Sequence, residues 1–295
     1  MKIETIGVMS PGDMGQAIAQ QLKQKGYKVC TALDQRSARS KTLAREAGLT
    51  DVGSLAALTE QCDLILSIMN PAAALEFSGE VANAMRAGKR RPLFADCNAI
   101  APSTQNAVSA NISAAGGRCI DAGIIGAPPR GTAKTRLYVS GPDAHELEQI
   151  ATPQIIVKVL SDRIGDASAI KMCYAAMNKG MVALGLEVLV AARRYGVDAA
   201  LEAQLGETHR DIHERIIGGL PTMPPKAYRW VPEMLEIART FETAGMTPRM
   251  FHGAADIYEF VAATALGKET PENRDKSRGG KDVIRLLADE LPDRR

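Results

Sequence analysis

Short apolar runs punctuate the first half of the chain at residues 3–9, 29–33, 64–69, 92–95, 119–125, 137–140 and 155–160. Between the first five lie segments rich in Ala, Leu, Gln, Lys and Glu. Strand-length apolar runs alternating with helix-like segments predict a parallel sheet built from β-α-β units. The pattern changes near Gly165. Residues 168–195 are rich in Ala, Met, Leu and Lys, hold no proline and few β-branched residues, and predict one long helix ended at Gly196. Beyond it the pattern stays helical, with breaks at Gly218-Gly219-Leu220-Pro221, at Pro224-Pro225 and around Gly245. Residues 268–280 are charged and poor in apolar side chains, which predicts a loose loop. Residues 282–291 suit a short amphipathic helix. The fold class expected is therefore α/β. A doubly wound parallel sheet occupies residues 1–164, and an all-α domain that opens on the long helix occupies residues 165–295.

The first apolar run leads into Ile6-Gly7-Val8-Met9-Ser10-Pro11-Gly12-Asp13-Met14-Gly15. A strand, a glycine turn and a helix start in that order form a dinucleotide-binding fingerprint of Rossmann type. In G-x-G-x-x-G the first glycine makes the turn, the second admits the pyrophosphate and the third lets helix pack on strand. Gly12 and Gly15 take the second and third places, while Ser10 stands in the first. The helix beginning near Asp13 would aim free N–H groups and its positive dipole end at the phosphates. Ser10, Pro11, Gly12, Asp13, Met14 and Gly15 are thus candidate cofactor-binding residues; the plainer alternative is a tight turn without a ligand. The second strand should end near Asp34, where an acid can hold the ribose hydroxyls of NAD. Arg36 and Ser37 follow at once, and a guanidinium there can fork onto the 2′-phosphate of NADP. Both signals are present, with Arg36 tilting the reading to NADP (or else NAD). Arg39 and Lys41 read as solvent-facing helix charge.

Composition narrows the partners. Of 295 residues, 45% are apolar, and 36 basic against 34 acidic residues leave a net charge of only +2. That balance argues against a nucleic-acid or membrane-surface footprint. The five cysteines are scattered without a C-x-x-C pair, which favours a reducing, cytoplasmic compartment over a disulfide framework. The N-terminus shows no signal-peptide pattern, and no run reads as long and charge-free enough to span a bilayer. His209 and His213 stand four apart, but no H-E-x-x-H occurs and no metal site is expected. No G-x-S-x-G nucleophile elbow is present, and Trp230, the single tryptophan, reads as a packing anchor.

Several segments, in order from residue 3 to about residue 195, resemble the β-hydroxyacid dehydrogenase family, which includes 3-hydroxyisobutyrate and 6-phosphogluconate dehydrogenases. Ser10 to Gly15 looks like its cofactor loop. Met69-Asn70-Pro71 is similar to its Met-Leu-Pro turn, and Asp96-Cys97-Asn98-Ala99-Ile100-Ala101-Pro102 to its Asp-x-Ser-Thr-x-x-Pro segment. Asp121-Ala122-Gly123-Ile124-Ile125-Gly126-Ala127 resembles the substrate signature Asp-Ala-Pro-Val-Ser-Gly-Gly. Gly165 followed by Lys171 resembles the catalytic Gly-…-Lys-x-x-Asn-Asn segment. The resemblance implies that Met69, Asn70 and Asn98 contact the cofactor and that Gly123, Ile124, Ile125 and Gly126 lie at the substrate. It makes Lys171 the catalytic proton donor and acceptor of an NAD(P)-dependent dehydrogenase acting on a hydroxyl or carbonyl of a small acidic substrate. The chain departs from the pattern at Ile125, at Ala127, at Asn98, and at Tyr174-Ala175, which replace the paired asparagines. Tyr228-Arg229-Trp230-Val231-Pro232-Glu233-Met234 and Thr247-Pro248-Arg249-Met250 look like a poorly characterised branch with a helical domain of undefined role.

Helix spacing adds two candidates. Tyr174 and Asn178, three and seven residues beyond Lys171, share its face and could stand in for the missing asparagines at the substrate. Lys179, further round, could reach an anion. Apolar residues on more than one face of the long helix predict a homodimer through the helical domain. An imine reductase and a non-catalytic nucleotide sensor remain the competing functions.

Overall fold

The computed structural model describes residues 1–292. Eight strands form one sheet: β1 (Thr5–Met9), β2 (Lys28–Thr31), β3 (Thr50–Asp51), β4 (Leu64–Ser67), β5 (Leu93–Asp96), β6 (Cys119–Ile125), β7 (Thr135–Ser140) and β8 (Ile155–Ser161). Their order is β3-β2-β1-β4-β5-β6-β7-β8. Every neighbouring pair is parallel except β6 with β7. The chain leaves β1 towards β2 and β3, then returns to lay β4 on β1's other side. That reversal opens a crevice beyond the carboxyl ends of β1 and β4, where doubly wound sheets bind ligands.

Helices α1 (Asp13–Gln24), α2 (Ala38–Glu46), α3 (Leu55–Gln61), α4 (Ala74–Ala87) and α5 (Pro102–Ser113) connect the parallel strands. Successive residues of the central strands point to opposite faces. Leu64, Leu66, Leu93 and Ala95 join one buried cluster with Ile6, Val8 and Leu22. Ile65 and Phe94 join a second with Phe77, Val81 and Ile112. Burial on both faces is why these strands read as unbroken apolar runs rather than alternating ones. The seven runs correspond to seven strands. The eighth, β3, is two exposed residues on the sheet edge and carries no apolar signal.

Contacts divide the chain into two compact units, Met1–Met172 and a second starting at Cys173. The long helix α6 (Asp166–Tyr195) starts in the first and continues into the second. It begins two residues before the expected Ser168 and stops before Gly196, whose φ of +71° suits glycine. An 18-residue window of α6 has a mean hydropathy of 1.4, so by length and composition this helix could cross a bilayer. Lys179 and Glu187 sit within that apolar stretch, and 44% of the window is buried inside the protein.

The second unit holds α7 (Asp198–Thr208), α8 (Arg210–Gly219), α9 (Ala227–Thr243), α10 (Arg249–Ala263) and α11 (Gly280–Glu290). Single 3-10 turns at Leu220–Thr222 and Pro224–Lys226 fill the glycine- and proline-rich breaks. Gly245, at φ +80°, separates α9 from α10. Met234, Ile237, Ala238, Tyr258 and Val261 on that helix pair are buried. Residues 268–280 lack helix or strand apart from the end of a 3-10 turn and the first residue of α11, yet the stretch is pinned rather than loose. Arg278 forks onto Glu269 through bonds of 2.8 and 2.9 Å.

Candidate active site

Strand β1 delivers Ser10 to the crevice, where its N–H donates to the Ile68 carbonyl at 2.9 Å and joins the loops that follow β1 and β4. The Ser10 carbonyl accepts the N–H of Gly12 at 2.8 Å. A Cβ on Gly15 would collide with that same carbonyl, so only glycine lets α1 start this close to the strand. A Cβ on Gly12 would meet nothing within 4 Å and would project into open space. No side chain caps the first turn of α1. Open space over Gly12 beside uncapped helical N–H groups fits a bound pyrophosphate. Met14 packs its side chain on the core below, and Asp13 stays at the surface.

Asp34, Arg36 and Met69 line one cavity of about 410 Å³ beyond β2 and β4, together with Met9, Phe77 and Glu80. This volume suits the adenosine end of a dinucleotide. Ser37 is the N-cap of α2, accepting the Ser40 N–H at 3.2 Å. Asn70 likewise caps a 3-10 turn by accepting from Ala72 at 3.2 Å.

Asn98 is 3% exposed, and both ends of its amide are committed. Its Oδ1 accepts the Met69 N–H at 2.6 Å, and its Nδ2 donates to Ser67 Oγ at 2.9 Å and Asp96 Oδ2 at 2.8 Å. It therefore sets the Met69–Asn70 turn relative to the β5 end. Asp96 is buried, and desolvation pushes its carboxyl up to about 7. The Asn98 N–H groups oppose that shift, whereas the charge of Asp121, its register partner on β6, adds to it.

Asp121 is fully buried and fixes the start of α6. Its carboxylate accepts from the Gly165 N–H at 2.9 Å, the Ser168 N–H at 3.0 Å, Ser168 Oγ at 2.7 Å and Ser140 Oγ at 3.0 Å. An acid bonded to the first-turn N–H groups also complements the helix dipole. Two residues along β6, Gly123 touches the next turn of that helix. A Cβ there would lie 2.7 Å from the Ala167 carbonyl oxygen and 2.9 Å from Lys171 Cβ. The bare backbone of Gly123 thus lets α6 bring Lys171, half-buried, against the β6 strand.

The remaining candidates fall in different surroundings. Ile124 and Ile125 are buried at 6% exposure each, and Ile124 belongs to the sheet core. Gly126 is exposed at φ +126°. Tyr174 is half exposed. Asn178 accepts from Arg215 and donates to the Tyr174 carbonyl at 2.8 Å. Lys179, read from the sequence as able to reach an anion, already has one: it pairs with Glu233 and lies 5.0 Å from the Trp230 ring centre. Among the described residues no cluster of His, Cys, Asp or Glu could hold a metal. Sequence reasoning missed the anchoring acids Asp96 and Asp121, though acids amid apolar strand residues were a visible signal. It also missed Arg130, whose guanidinium contacts Asp13.

The geometry can be set beside known proteins. The NAD binding domain of 6-phosphogluconate dehydrogenase matches residues 5–153. The chain belongs to that family. A domain of unknown function, DUF1932, matches residues 192–261. A conserved protein of unknown function, described as structurally similar to 3-hydroxyacid dehydrogenases, is 28% identical. The match covers 90% of this chain and 100% of that one, at a TM-score of 0.64. The Mycobacterium tuberculosis 3-hydroxyisobutyrate dehydrogenase with L-serine is 18% identical over 97% and 99% of the two chains, at a TM-score of 0.68. A reductive aminase from Aspergillus terreus in complex with NADPH shares 18% identity over 97% and 98%, at a TM-score of 0.56. The chain thus has a hydroxyacid-dehydrogenase-like, NAD(P)-binding fold.

Proposed function

We propose that this protein is an NAD(P)-dependent oxidoreductase that interconverts a hydroxyl and a carbonyl on a small acidic substrate, with Lys171 moving the proton. The observation that carries this reading is the placement of Lys171. Asp121 anchors its helix and Gly123 admits it to the substrate strand β6. The nicotinamide, when bound, supplies the hydride or takes it up. The protein's part is to bind, orient and balance the proton. In the reducing direction the Lys171 ammonium gives its proton to the carbonyl oxygen; in the oxidising direction the neutral amine takes it from the hydroxyl. Gly12, Gly15 and the α1 start hold the diphosphate, and Asp34 and Arg36 meet the adenosine ribose. Arg36 at the cavity wall favours the 2′-phosphate of NADP.

Lys171→Met tests this. It should bind NADH or NADPH as tightly as wild type by fluorescence titration, while turnover on a screened hydroxy acid or its ketone falls by about 10²–10⁴-fold. Near wild-type turnover would end the assignment. A second reading, reduction of an imine, draws on Ile125. An apolar, buried side chain where the family has serine offers less to a carboxylate.

We also propose a homodimer through the second unit. Met177, Leu184, Met246 and Met250 are 60–72% exposed and line one groove of about 690 Å³. Its two charges, Glu187 and Arg249, are opposite in sign, so a second copy related by a two-fold axis could satisfy both. Sedimentation should give a dimer at micromolar concentration, and Met250→Glu should give a monomer. A wild-type monomer would refute this. The five free cysteines, four of them buried, support a reducing, cytoplasmic setting.

A further inference from the structure

The turn at residues 126–134 follows directly on the substrate strand β6, and it reaches back to the cofactor loop. Arg130 Nη2 lies 2.8 Å from Asp13 Oδ1 and donates to the Asp13 carbonyl at 2.9 Å. The turn is stiffly built. Pro128 and Pro129 precede the arginine, Arg130 N–H donates to the Pro128 carbonyl at 2.8 Å, and Ala133 N–H donates to the Arg130 carbonyl at 3.0 Å. Thr135 Oγ1 ties the far end to the Ala127 carbonyl at 2.5 Å. Gly126 at φ +126° and Gly131 at φ +57° permit the two bends. A turn so constrained would have little reason to present a guanidinium to Asp13 for stability alone. Both side chains are 45% exposed, and exposed pairs contribute almost nothing.

We propose that Arg130 is a further cofactor-binding residue, held at the first turn of α1 to neutralise the dinucleotide's diphosphate. The charge arithmetic at that site supports it. The diphosphate brings two negative charges to a helix start that already carries Asp13, an acid where an anion must bind. Arg130 offsets the Asp13 charge. Because its bond to Asp13 is exposed and weak, the guanidinium can turn to the phosphates at little cost. Its two parallel N–H groups then match phosphate oxygens. Arg130 also links the two halves of the first unit's chemistry. Cofactor occupancy would fix the 126–134 turn and with it the end of β6, where substrate is expected. This inference rests on the assignment of Ser10 to Gly15 as the cofactor loop.

The test is isothermal titration of wild type, Arg130→Gln, Arg130→Lys and Asp13→Asn with ADP-ribose and with adenosine, which lacks the diphosphate. Arg130→Gln should weaken ADP-ribose by roughly ten- to a hundredfold, as for a lost hydrogen bond to a charged group. It should leave adenosine affinity unchanged and flatten the salt dependence of ADP-ribose binding. Arg130→Lys should recover part of the loss, and Asp13→Asn, which removes the acid that competes for the guanidinium, should tighten ADP-ribose binding. Wild-type ADP-ribose affinity in Arg130→Gln would overturn the proposal alone. So would an equal loss for adenosine, which marks a merely structural role. Wild type binding neither ADP-ribose nor NADH nor NADPH would overturn the cofactor loop itself.

Discussion

Lys171 and Lys179 stand eight residues apart on one continuous helix, and their surroundings differ in kind. Lys171 is set in place from outside its helix, by an acid that caps the first turn and a glycine that lets the backbone close in. Lys179 is consumed by its own neighbourhood. Its ammonium pairs with Glu233, 8% exposed, beneath the Trp230 ring, and its carbonyl accepts the Tyr258 hydroxyl at 2.6 Å. Trp230 and Tyr258 then meet edge to face at 5.0 Å. The first unit commits its buried polar groups to fixing loop and helix ends around a crevice. The second commits them to closing its own core and leaves apolar side chains outside. A lysine amid apolar residues is therefore not by itself a sign of chemistry; what matters is whether its partners complete it or aim it.

Swapping each lysine for methionine breaks that comparison most sharply. Lys171→Met is expected to lose turnover by the 10²–10⁴-fold stated above while its urea midpoint barely moves. Lys179→Met should do the reverse. Leaving Glu233 buried without its ammonium costs about 3–5 kcal/mol, read as a lower urea midpoint, with kcat per folded molecule unchanged. Pairing it with Glu233→Leu should recover most of the stability, since an apolar pair can replace a buried ion pair. If Lys179→Met lowered kcat as far as Lys171→Met, the distinction between the two lysines would be lost.

Glycine offers a smaller contrast. Gly123→Ala places a methyl against the Ala167 carbonyl and Lys171 Cβ, so α6 must shift or the strand must bend. Overpacking of this kind destabilises by about 1–3 kcal/mol. A displacement of the lysine by a fraction of an ångström should also cut turnover by roughly ten- to a hundredfold. Gly253→Ala, in α10 with open space around its Cβ, should instead stabilise by up to about 1 kcal/mol through helix propensity. Thermal melts of both variants decide the matter. Equal shifts would mean that the close approach at Gly123 carries no weight.

The same contrast explains what the sequence revealed. The sheet was legible because its central strands are buried on both faces and read as apolar runs; β3, exposed at the edge, left no trace. Gly12 and Gly15 were legible because turn chemistry restricts the residue type locally. Asn98, Ser37 and Asn70 were named as ligand contacts, and each also has its side chain bonded within the protein, to partners two to thirty-one residues away. A polar residue in a motif does not disclose whether its hydrogen bonds go to a ligand or to the backbone. Asp121 and Arg130 went unread because their partners, Ser168 and Asp13, are 47 and 117 residues distant. Only the assembled sheet brings those pairs together.

The smallest effect concerns Asp96. Its folded carboxyl titrates at about 7, against an ordinary value of 3.8, because burial and the charge of Asp121 disfavour the ionised form. A raised carboxyl binds its proton more tightly folded than unfolded. Its contribution to stability is therefore fully present below the unfolded value and is lost as pH rises through about 7. Between pH 6 and pH 7 this loss amounts to about 1 kcal/mol, read as a lower urea midpoint at the higher pH. Asp96→Asn keeps the shape and removes the charge, so its midpoint should stay level over the same interval. Asp121 is also raised by burial, but its four hydrogen-bond donors favour the carboxylate. Those donors hold the start of α6, and Asp96 is the acid of the pair whose titration falls in this interval. An undiminished slope in Asp96→Asn would move the titration to Asp121, and with it the conclusion that the helix carrying Lys171 is anchored independently of pH.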